Sequence, residues 1–370
     1  SAQQRRRPMS ADDDDGREAA EGDSLLGTDG NDSLYAKKDA AAARAEQRRL
    51  ARRGFWLVVL AGTVWGGGAL GAKLMDDPTR GIPEYLVIRT GTISLCQFLM
   101  AMSQRESRRT LGLLLRPGSA SAKEWAAMAV VAVCMGCGMS MFVISLAFVA
   151  ATNTLCIMAA GPFVAAFLER LFLQQRLERH VQIAMTTAAI GVVVIGSEGL
   201  LQQDAAEQDN AAVLIGNLCA MGVAVLSASA STALVALKDL PGGGLVSTMV
   251  GTLGVAVTAL CWTLLDEDEG GMWFVITRHN SLCSLFVGLC IGVGLVFYNL
   301  GAVHVTAAQM QILQMTEVVS GILLVMLLKL HDPDKGEIPT LPATVGGLLI
   351  CGAITFQGHH MREEGEGAPG

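Results

Sequence analysis

Long apolar blocks alternate with short polar segments along most of the chain. There are ten such blocks, at residues 55–75, 84–102, 124–148, 152–173, 180–197, 211–236, 244–265, 281–302, 305–328 and 340–357. A helix needs about 20 mostly apolar residues to cross the hydrocarbon core of a bilayer. The pattern therefore predicts an all-α integral membrane protein with ten transmembrane helices.

Composition agrees with this prediction. Of the 370 residues, 51% are hydrophobic and only 16% are charged, and the mean hydropathy is +0.44. Charged residues make up about 25% of a typical soluble domain. A soluble globular protein is therefore excluded.

The basic residues predict how the chain is oriented in the membrane. If the N-terminus is cytoplasmic, the segments 44–53, 103–123 and 170–180 with Lys238 and Arg362 place 15 Lys and Arg residues near the membrane on the cytoplasmic side, against 5 on the other. Cytoplasmic loops carry the excess of Lys and Arg in multi-pass proteins. We expect both termini in the cytoplasm, in either the plasma membrane or an endomembrane.

The two ends of the chain are polar. Residues 1–53 are predicted to form a disordered acidic and basic tail that ends in a basic helix, and residues 359–370 a polar C-terminal tail. The Ala-rich, basic segment 36–53 is expected to lie on the cytoplasmic membrane surface, where anionic lipids attract it.

Two stretches of the membrane region share one order of features: a small-residue turn, then a span with polar residues, then a Gly-rich final span. Residues 146–173 and 299–326 align with a constant offset of 154, which pairs Thr152 with Thr306 and Pro162 with Thr316. The chain thus reads as five helices duplicated, over 54–200 and 211–358. Because five is odd, the second copy enters the membrane inverted, as in alternating-access transporters with a site between the halves.

These motifs resemble the drug/metabolite transporter superfamily, specifically the EamA-type ten-helix carriers. The residues that carry the resemblance are Trp65, Gly66, Lys73, Pro83, Arg89, Pro162, Glu317, Glu337, Pro339, Gly346 and Gly347. The chain departs from the family pattern at Gln175, where an acid is common, and in the longer link "HDPDKG". The resemblance implies two EamA-like five-helix repeats and membrane transport.

The ninth apolar block holds unusual polar residues in "QMQILQMTEVVSGILL", which spans 309–324. At 100° per residue, Gln311, Gln314 and Glu317 fall within a 120° arc of one helix near mid-membrane. Ionisable groups at that depth are costly and usually functional. The alternative is hydrogen bonding between helices.

Three more residues complete the predicted substrate-binding set. Pro162 removes an N–H from span four, which frees a carbonyl for a ligand or kinks the helix. Arg89 could bind a substrate carboxylate or phosphate, or instead snorkel outward or pair with Asp76, Asp77 or Glu84. Trp65 could form a wall of the cavity or pack in the core.

Five residues are predicted at gates or interfaces: Lys73, Glu169, Tyr298, Asn299 and His304. For Glu169, beside Arg170, a salt bridge at the inner gate or interfacial anchoring is favoured over contact with substrate. For Lys73 and His304 a purely structural role is the stronger interpretation.

The expected function is transport of small polar metabolites, such as amino acids or amines. The alternatives are a nucleotide-sugar or triose-phosphate exchanger and a non-transporting receptor of the same fold. Neither enzyme activity nor a cofactor is indicated. A metal site is not indicated either, since Cys134 and Cys137 in "CMGC" lack a second ligand pair. The expected partners are the substrate and the lipid bilayer but not nucleic acid, and the sequence leaves a homodimer open.

Overall fold

The structure is a computed structural model that describes most of the membrane region. It describes residues 29–75, 82–114, 121–149, 154, 157–174, 177–202, 210–240, 242–265, 277–331 and 340–366. Residues 1–28 of the predicted tail, Thr152, Gln175 and most of the "HDPDKG" link lie outside these ranges. Asp76 and Asp77 also lie outside them, as does the side chain of Lys73.

Every element in the described ranges is a helix, as the apolar blocks predict. The helices are α1 (Asp29–Leu74), α2 (Ile82–Ser103), α3 (Arg105–Leu114), α4 (Ala122–Phe148), α5 (Gly161–Leu168, continued by a π-helical turn Glu169–Leu173), α6 (Arg179–Gln202), α7 (Asn210–Ala236), α8 (Gly243–Leu265), α9 (Arg278–Ala302), α10 (Ala307–Gln314), α11 (Thr316–His331) and α12 (Leu341–Glu366).

Seven stretches of helix are long and apolar enough to cross a membrane. They are Pro83–Ser103, Ala122–Ser145, Val213–Ala236, Gly243–Leu264, Arg278–Ala302, Ala307–His331 and Leu341–His360. Of the three other predicted spans, 55–75 lies within α1 except for its last residue, 152–173 lies partly outside the described residues, and 180–197 corresponds to the shorter apolar helix Arg179–Ile195. The count of ten therefore stays a prediction.

The chain divides into two compact units, Ser1–Ala45 and Glu46–Gly370. The first unit contains the beginning of α1. The second contains the remainder of α1 and all later helices, including every residue discussed below.

Glycines allow the helices of the second unit to pack closely. A Cβ on Gly346 of α12 would lie 2.3 Å from the carbonyl oxygen of Gly191 on α6, and one on Gly251 of α8 would lie 2.1 Å from that of Ala132 on α4. On α1, Gly62 and Gly66 leave room for the hydroxyls of Thr316 and Ser320 on α11. Small residues at such crossings are the usual basis of helix association in membranes.

One end of the bundle, called the basic end below, carries most of the exposed cations that the structure describes. Helix ends pack together there, with Gly54 next to His304 and Gly242 next to Ser107. The exposed cations are Arg49, Arg52, Arg53, Arg105, Arg108, Arg109, Lys123, Arg170, Arg179 and Lys238. At the opposite end His279 Nε2 lies 2.8 Å from the carbonyl oxygen of Leu74.

The ninth predicted span is interrupted, which corrects the expectation of one continuous helix. Helix α10 ends at Gln314, α11 begins at Thr316, and Met315 lies between them in a turn. Around this break Met315 N–H bonds to the carbonyl of Ile312, and Val318 N–H to that of Met315, each at 3.1 Å. Both are 3₁₀-type hydrogen bonds, from an N–H to the carbonyl three residues earlier. A 3₁₀ stretch within a helix often marks a hinge.

The fourth predicted span is also interrupted. Ala159 and Ala160 form a turn, and α5 begins at Gly161. Pro162 therefore lies in the first turn of α5, where the missing N–H costs no hydrogen bond. The expectation of a proline kink in mid-helix is thus corrected to a helix start.

Candidate functional site

A cavity of about 100 Å³ lies among the helices of the second unit. Its lining residues are Trp65, Arg89, Cys134, Met135, Gly138, Met139, Phe142, Met158, Val223, Ser227, Ile291, Leu295, Tyr298, Gln314 and Glu317. Five helices and the two interrupted spans contribute to it. Of the six residues predicted to bind substrate, four line this cavity: Trp65, Arg89, Gln314 and Glu317.

Arg89 is a buried cation on α2. Its side chain is only 5% exposed, so it does not snorkel outward. The guanidinium carbon lies 5.6 Å from the ring centre of Tyr85 and 6.0 Å from that of Phe142, within cation–π range. Its Nη1 donates to the Tyr85 hydroxyl at 3.4 Å. Its Nε is buried and has no hydrogen-bond partner among the described residues.

Glu317 and Gln314 stand on either side of the break in the ninth span. Glu317 lies in the first turn of α11, where the N-terminal end of the helix dipole favours a carboxylate. Glu317 shares the lining of the cavity with Arg89. The side-chain oxygen of Gln314 is buried and lacks a partner in the described part of the chain.

Trp65 and Tyr298 form an aromatic wall of the cavity. Their ring centres are 5.2 Å apart with an interplanar angle of 40°. Trp65 Nε1 donates to the carbonyl of Ile291 at 3.1 Å, which fixes the indole against α9. A Cβ on Gly294 would lie 2.3 Å from that nitrogen, so Gly294 makes room for the ring.

Gln311 belongs to a hydrogen-bonded cluster that borders the cavity but is not itself a lining residue. Its side-chain amide donates to Ser227 Oγ at 3.0 Å and to Ser231 Oγ at 2.7 Å. Ser231 Oγ lies 2.7 Å from the Tyr298 hydroxyl. Four buried or half-buried polar side chains thus satisfy one another, two of them on the cavity lining, which is the interhelical hydrogen bonding named as the alternative for the glutamines.

Glu169 lies outside the cavity and caps α10. Its carboxylate accepts hydrogen bonds from the backbone N–H groups of Ala307, at 2.5 Å, and Ala308, at 3.2 Å. The side chain is 2% exposed, whereas that of the neighbouring Arg170 is exposed. The carboxylate is therefore held by a helix N-terminus from the second half of the chain and not by Arg170.

The remaining predicted gate residues are dispersed. Asn299 is buried, and its side-chain amide donates to Gln97 Oε1 at 3.3 Å and to Thr248 Oγ1 at 3.2 Å. His304 lies half-buried in the turn between α9 and α10, at the basic end. Burial lowers the pKa of His304 below its ordinary value, and the positive charge of Arg53 lowers it further.

Several lining residues carry no signal that could have identified them from the sequence. Phe142, Met135, Met139 and Met158 are ordinary apolar residues of predicted spans, and only the tertiary packing selects them. Cys134 lines the cavity while Cys137 is exposed. In the described ranges there is no group of three or more His, Cys, Asp or Glu side chains that could hold a metal.

Comparison with known proteins gives two findings. Residues 52–197 match the model of the EamA-like transporter family. One solved structure, described only as "Crystal structure of protein", superimposes with a TM-score of 0.62 at 15% identity, covering 84% of this chain and 97% of the other. No protein among the curated sequences matches the chain.

The family match covers the segment with Trp65, Arg89, Pro162 and Glu169, and it confirms the resemblance drawn from the motifs. The solved structure shows a shared fold over most of the chain and nothing about its substrate. Together with the apolar helices, these findings show an integral, multi-pass membrane protein whose residues 52–197 match the EamA-like transporter family, a family of the drug/metabolite transporter superfamily.

Proposed function

We propose that the chain is a transporter of small polar metabolites that carry both a carboxylate and an amine, as amino acids do. The observation that carries this proposal is that a basic and an acidic side chain, Arg89 and Glu317, line one cavity. Ionisable side chains buried within a membrane bundle are expensive and mark substrate or ion pathways.

The two unpartnered polar atoms of the lining support the same class of substrate. Arg89 Nε is a charged donor, and Gln314 Oε1 is an acceptor beside the Glu317 carboxylate. A buried polar atom without a partner costs about 1–3 kcal/mol. A zwitterion offsets this cost at both places, since its carboxylate accepts from Arg89 and its ammonium donates to Gln314 and Glu317.

The apolar part of the cavity fits the body of such a molecule. Phe142, Met135 and Met139 lie on the lining together with the aromatic wall of Trp65 and Tyr298. Ligand sites are commonly lined by apolar and aromatic groups with a few placed polar ones. A cavity of about 100 Å³ favours small substrates over nucleotide-sized ones.

Alternating access between two inverted five-helix repeats is the mechanism we propose. Its support is that the breaks in spans four and nine occupy corresponding places: Pro162 and Thr316, paired by the offset of 154, lie in the first turns of α5 and α11. The start of α5 also packs closely against α10, because a Cβ on Gly161 would lie 2.7 Å from Gln311 Oε1. Discontinuous helices that meet at mid-membrane are typical of transporters built from inverted repeats.

Helix contacts also recur in matched pairs. The repeat pairs α1 with α7, α2 with α8 and α4 with α9. It therefore predicts that the contact of α4 with α7 has a counterpart between α9 and α1, and that the contact of α2 with α9 has one between α8 and α4. All four contacts occur. The repeat also pairs α6 with α12, and these two helices contact each other. The basic end would face the cytoplasm under the positive-inside rule, with both termini on that side.

A phosphorylated substrate is the less favoured candidate. Sugar nucleotides and triose phosphates carry two or more negative charges and call for several cations in the site. Among the described lining residues Arg89 is the single Lys or Arg, and Glu317 opposes it.

A thermal-shift screen of the detergent-purified full chain tests the proposal. Amino acids, amines, sugars, nucleotide sugars and triose phosphates are added at rising concentration to the wild type, Arg89→Gln and Glu317→Gln. A ligand at about a hundredfold excess over its Kd stabilises the folded state by about 2.7 kcal/mol. We expect stabilisation by an amino acid that is lost in both variants.

The matched controls are Arg109→Gln and Glu106→Gln, which make the same changes on exposed positions of α3. Both should respond to the ligand as the wild type does. Stabilisation only by phosphorylated compounds, or by an amino acid equally in all five proteins, would contradict the proposal.

A further inference from the structure

The N-terminus of α10 is buried, yet all four of its leading N–H groups are bonded. The Thr306 N–H donates to Gln309 Oε1 at 3.0 Å, and the Gln309 N–H to Thr306 Oγ1 at 3.2 Å. The N–H groups of Ala307 and Ala308 donate to the carboxylate of Glu169. Helix α10 thus satisfies two of these groups within itself and relies on another helix for the other two.

That other helix comes from the opposite half of the chain. Glu169 opens the π-helical turn Glu169–Leu173, which is followed by Gln174 in a left-handed conformation with φ of 53°. π-Helical turns are rare and frequently occur at functional sites. The irregular backbone places the Glu169 carboxylate over the first turn of α10.

Helix α10 lies between the cavity and the basic end. Gln314, its last residue, lines the cavity, whereas Ala307, its first, meets Glu169. Every residue from Ala307 to Leu313 is buried. We therefore expect a path from the cavity to the basic end to open when α10 moves, with the bonds to Glu169 breaking and the turn at Met315 bending.

We infer that Glu169 is a positioning residue of the transport cycle, a latch that holds α10 in place and keeps the cavity closed toward the basic end. This inference rests on the proposed function. Charge-assisted hydrogen bonds are about twice as strong as neutral ones. Loss of the carboxylate leaves two N–H groups buried without partners, which favours the arrangement in which α10 has moved and water reaches them.

Labelling of a buried reporter from one side of the membrane tests the latch. The full chain, with its native cysteines replaced by alanine or serine, receives a single cysteine as Met310→Cys on α10 and is reconstituted in vesicles. Met310 is fully buried. A membrane-impermeant maleimide on the basic side should label it about tenfold faster or more in Glu169→Ala than with Glu169 intact, with Glu169→Gln between them.

Two controls separate a latch from general loosening. Val131→Cys places the reporter at a fully buried position of α4, far along the chain from α10. Glu106→Ala removes an exposed carboxylate at the same end. Neither the Val131→Cys reporter nor Glu106→Ala should show faster labelling.

Equal labelling of Met310→Cys with and without Glu169 would overturn the latch, and so would a parallel rise at Val131→Cys. If Glu169→Ala fails to fold, Glu169→Gln gives the same comparison, since it keeps the shape and removes the charge. The labelling needs no substrate. A wild type that transports nothing but shows Glu169-dependent labelling therefore defeats the proposed function and leaves only the closure of the cavity by Glu169, whereas transport with unchanged labelling defeats the latch alone.

Discussion

At the scale of single residues, the cavity depends on a few polar groups in an apolar bundle. Arg89 and Glu317 are both identifiable from the sequence, because each is an ionisable residue within an apolar block. Their proximity is not, because they are 228 positions apart and no local pattern links them. The polar face expected from Gln311, Gln314 and Glu317 divides in the structure, since Gln311 bonds to serines while the other two line the cavity.

We expect the stability of the protein to depend on pH through His304. Its pKa is lowered in the folded state by burial first and by Arg53 second. As pH falls through the ordinary histidine value of about 6.5, the unfolded state takes up the proton before the folded state does. Stability is therefore lost as pH falls below about 7, and the loss levels off beneath the lowered pKa.

We expect His304→Gln to reduce the difference in thermal stability between pH 7.5 and pH 5.5, measured on purified protein. The change per pH unit stays under about 1.4 kcal/mol, the limit for one proton. Arg53→Gln should reduce the difference partly, because it removes only the second cause. A larger pH effect in His304→Gln than in the wild type would show that the sign is wrong.

At the scale of helices, apolar length predicts most of the elements but not where they break. Seven predicted spans have counterparts among the helices that are long and apolar enough to cross a membrane. The break at Met315 has no proline or glycine beside it, so no local signal marks it. The capping of α10 by Glu169 is likewise invisible in the sequence, because it joins segments 138 positions apart.

Substitution by alanine should have opposite effects on stability at the adjacent glycines Gly346 and Gly347 of α12. A Cβ at Gly346 would lie 2.3 Å from the backbone oxygen of Gly191, whereas at Gly347 it meets nothing within 4 Å. Backbone cannot yield as a flexible side chain can, so Gly346→Ala should destabilise the protein by about 1–3 kcal/mol. Gly347→Ala should be neutral or stabilise it by up to about 1 kcal/mol, since alanine favours helix.

Thermal unfolding of the two variants beside the wild type checks this prediction. Gly191→Ala supplies a second test of the same crossing, because its Cβ would lie 2.7 Å from the carbonyl oxygen of Gly346. Similar melting temperatures for the Gly346→Ala and Gly347→Ala proteins would contradict the close crossing of α6 and α12.

At the scale of the whole molecule, the cavity lies at the two helix breaks. The lining extends from these breaks toward the end opposite the basic one, where Arg89 lies on the first half of α2. In the other direction lie Tyr298, Gln311 and, at the first turn of α10, Glu169. Under the alternating access that we propose, repacking these three residues around α10 opens the cavity toward the basic end.

We propose that Arg89 and Glu317 together bind a zwitterion, which the protein moves across the membrane. The most direct test is uptake of a radiolabelled amino acid, chosen by the thermal-shift screen, into vesicles containing equal amounts of folded protein. Loss of one charge-assisted hydrogen bond, about 1.5–3 kcal/mol, should reduce uptake by roughly 10-fold to 100-fold in Glu317→Gln and in Arg89→Gln. Glu106→Gln should transport as the wild type does. Wild-type uptake in Glu317→Gln would contradict the account.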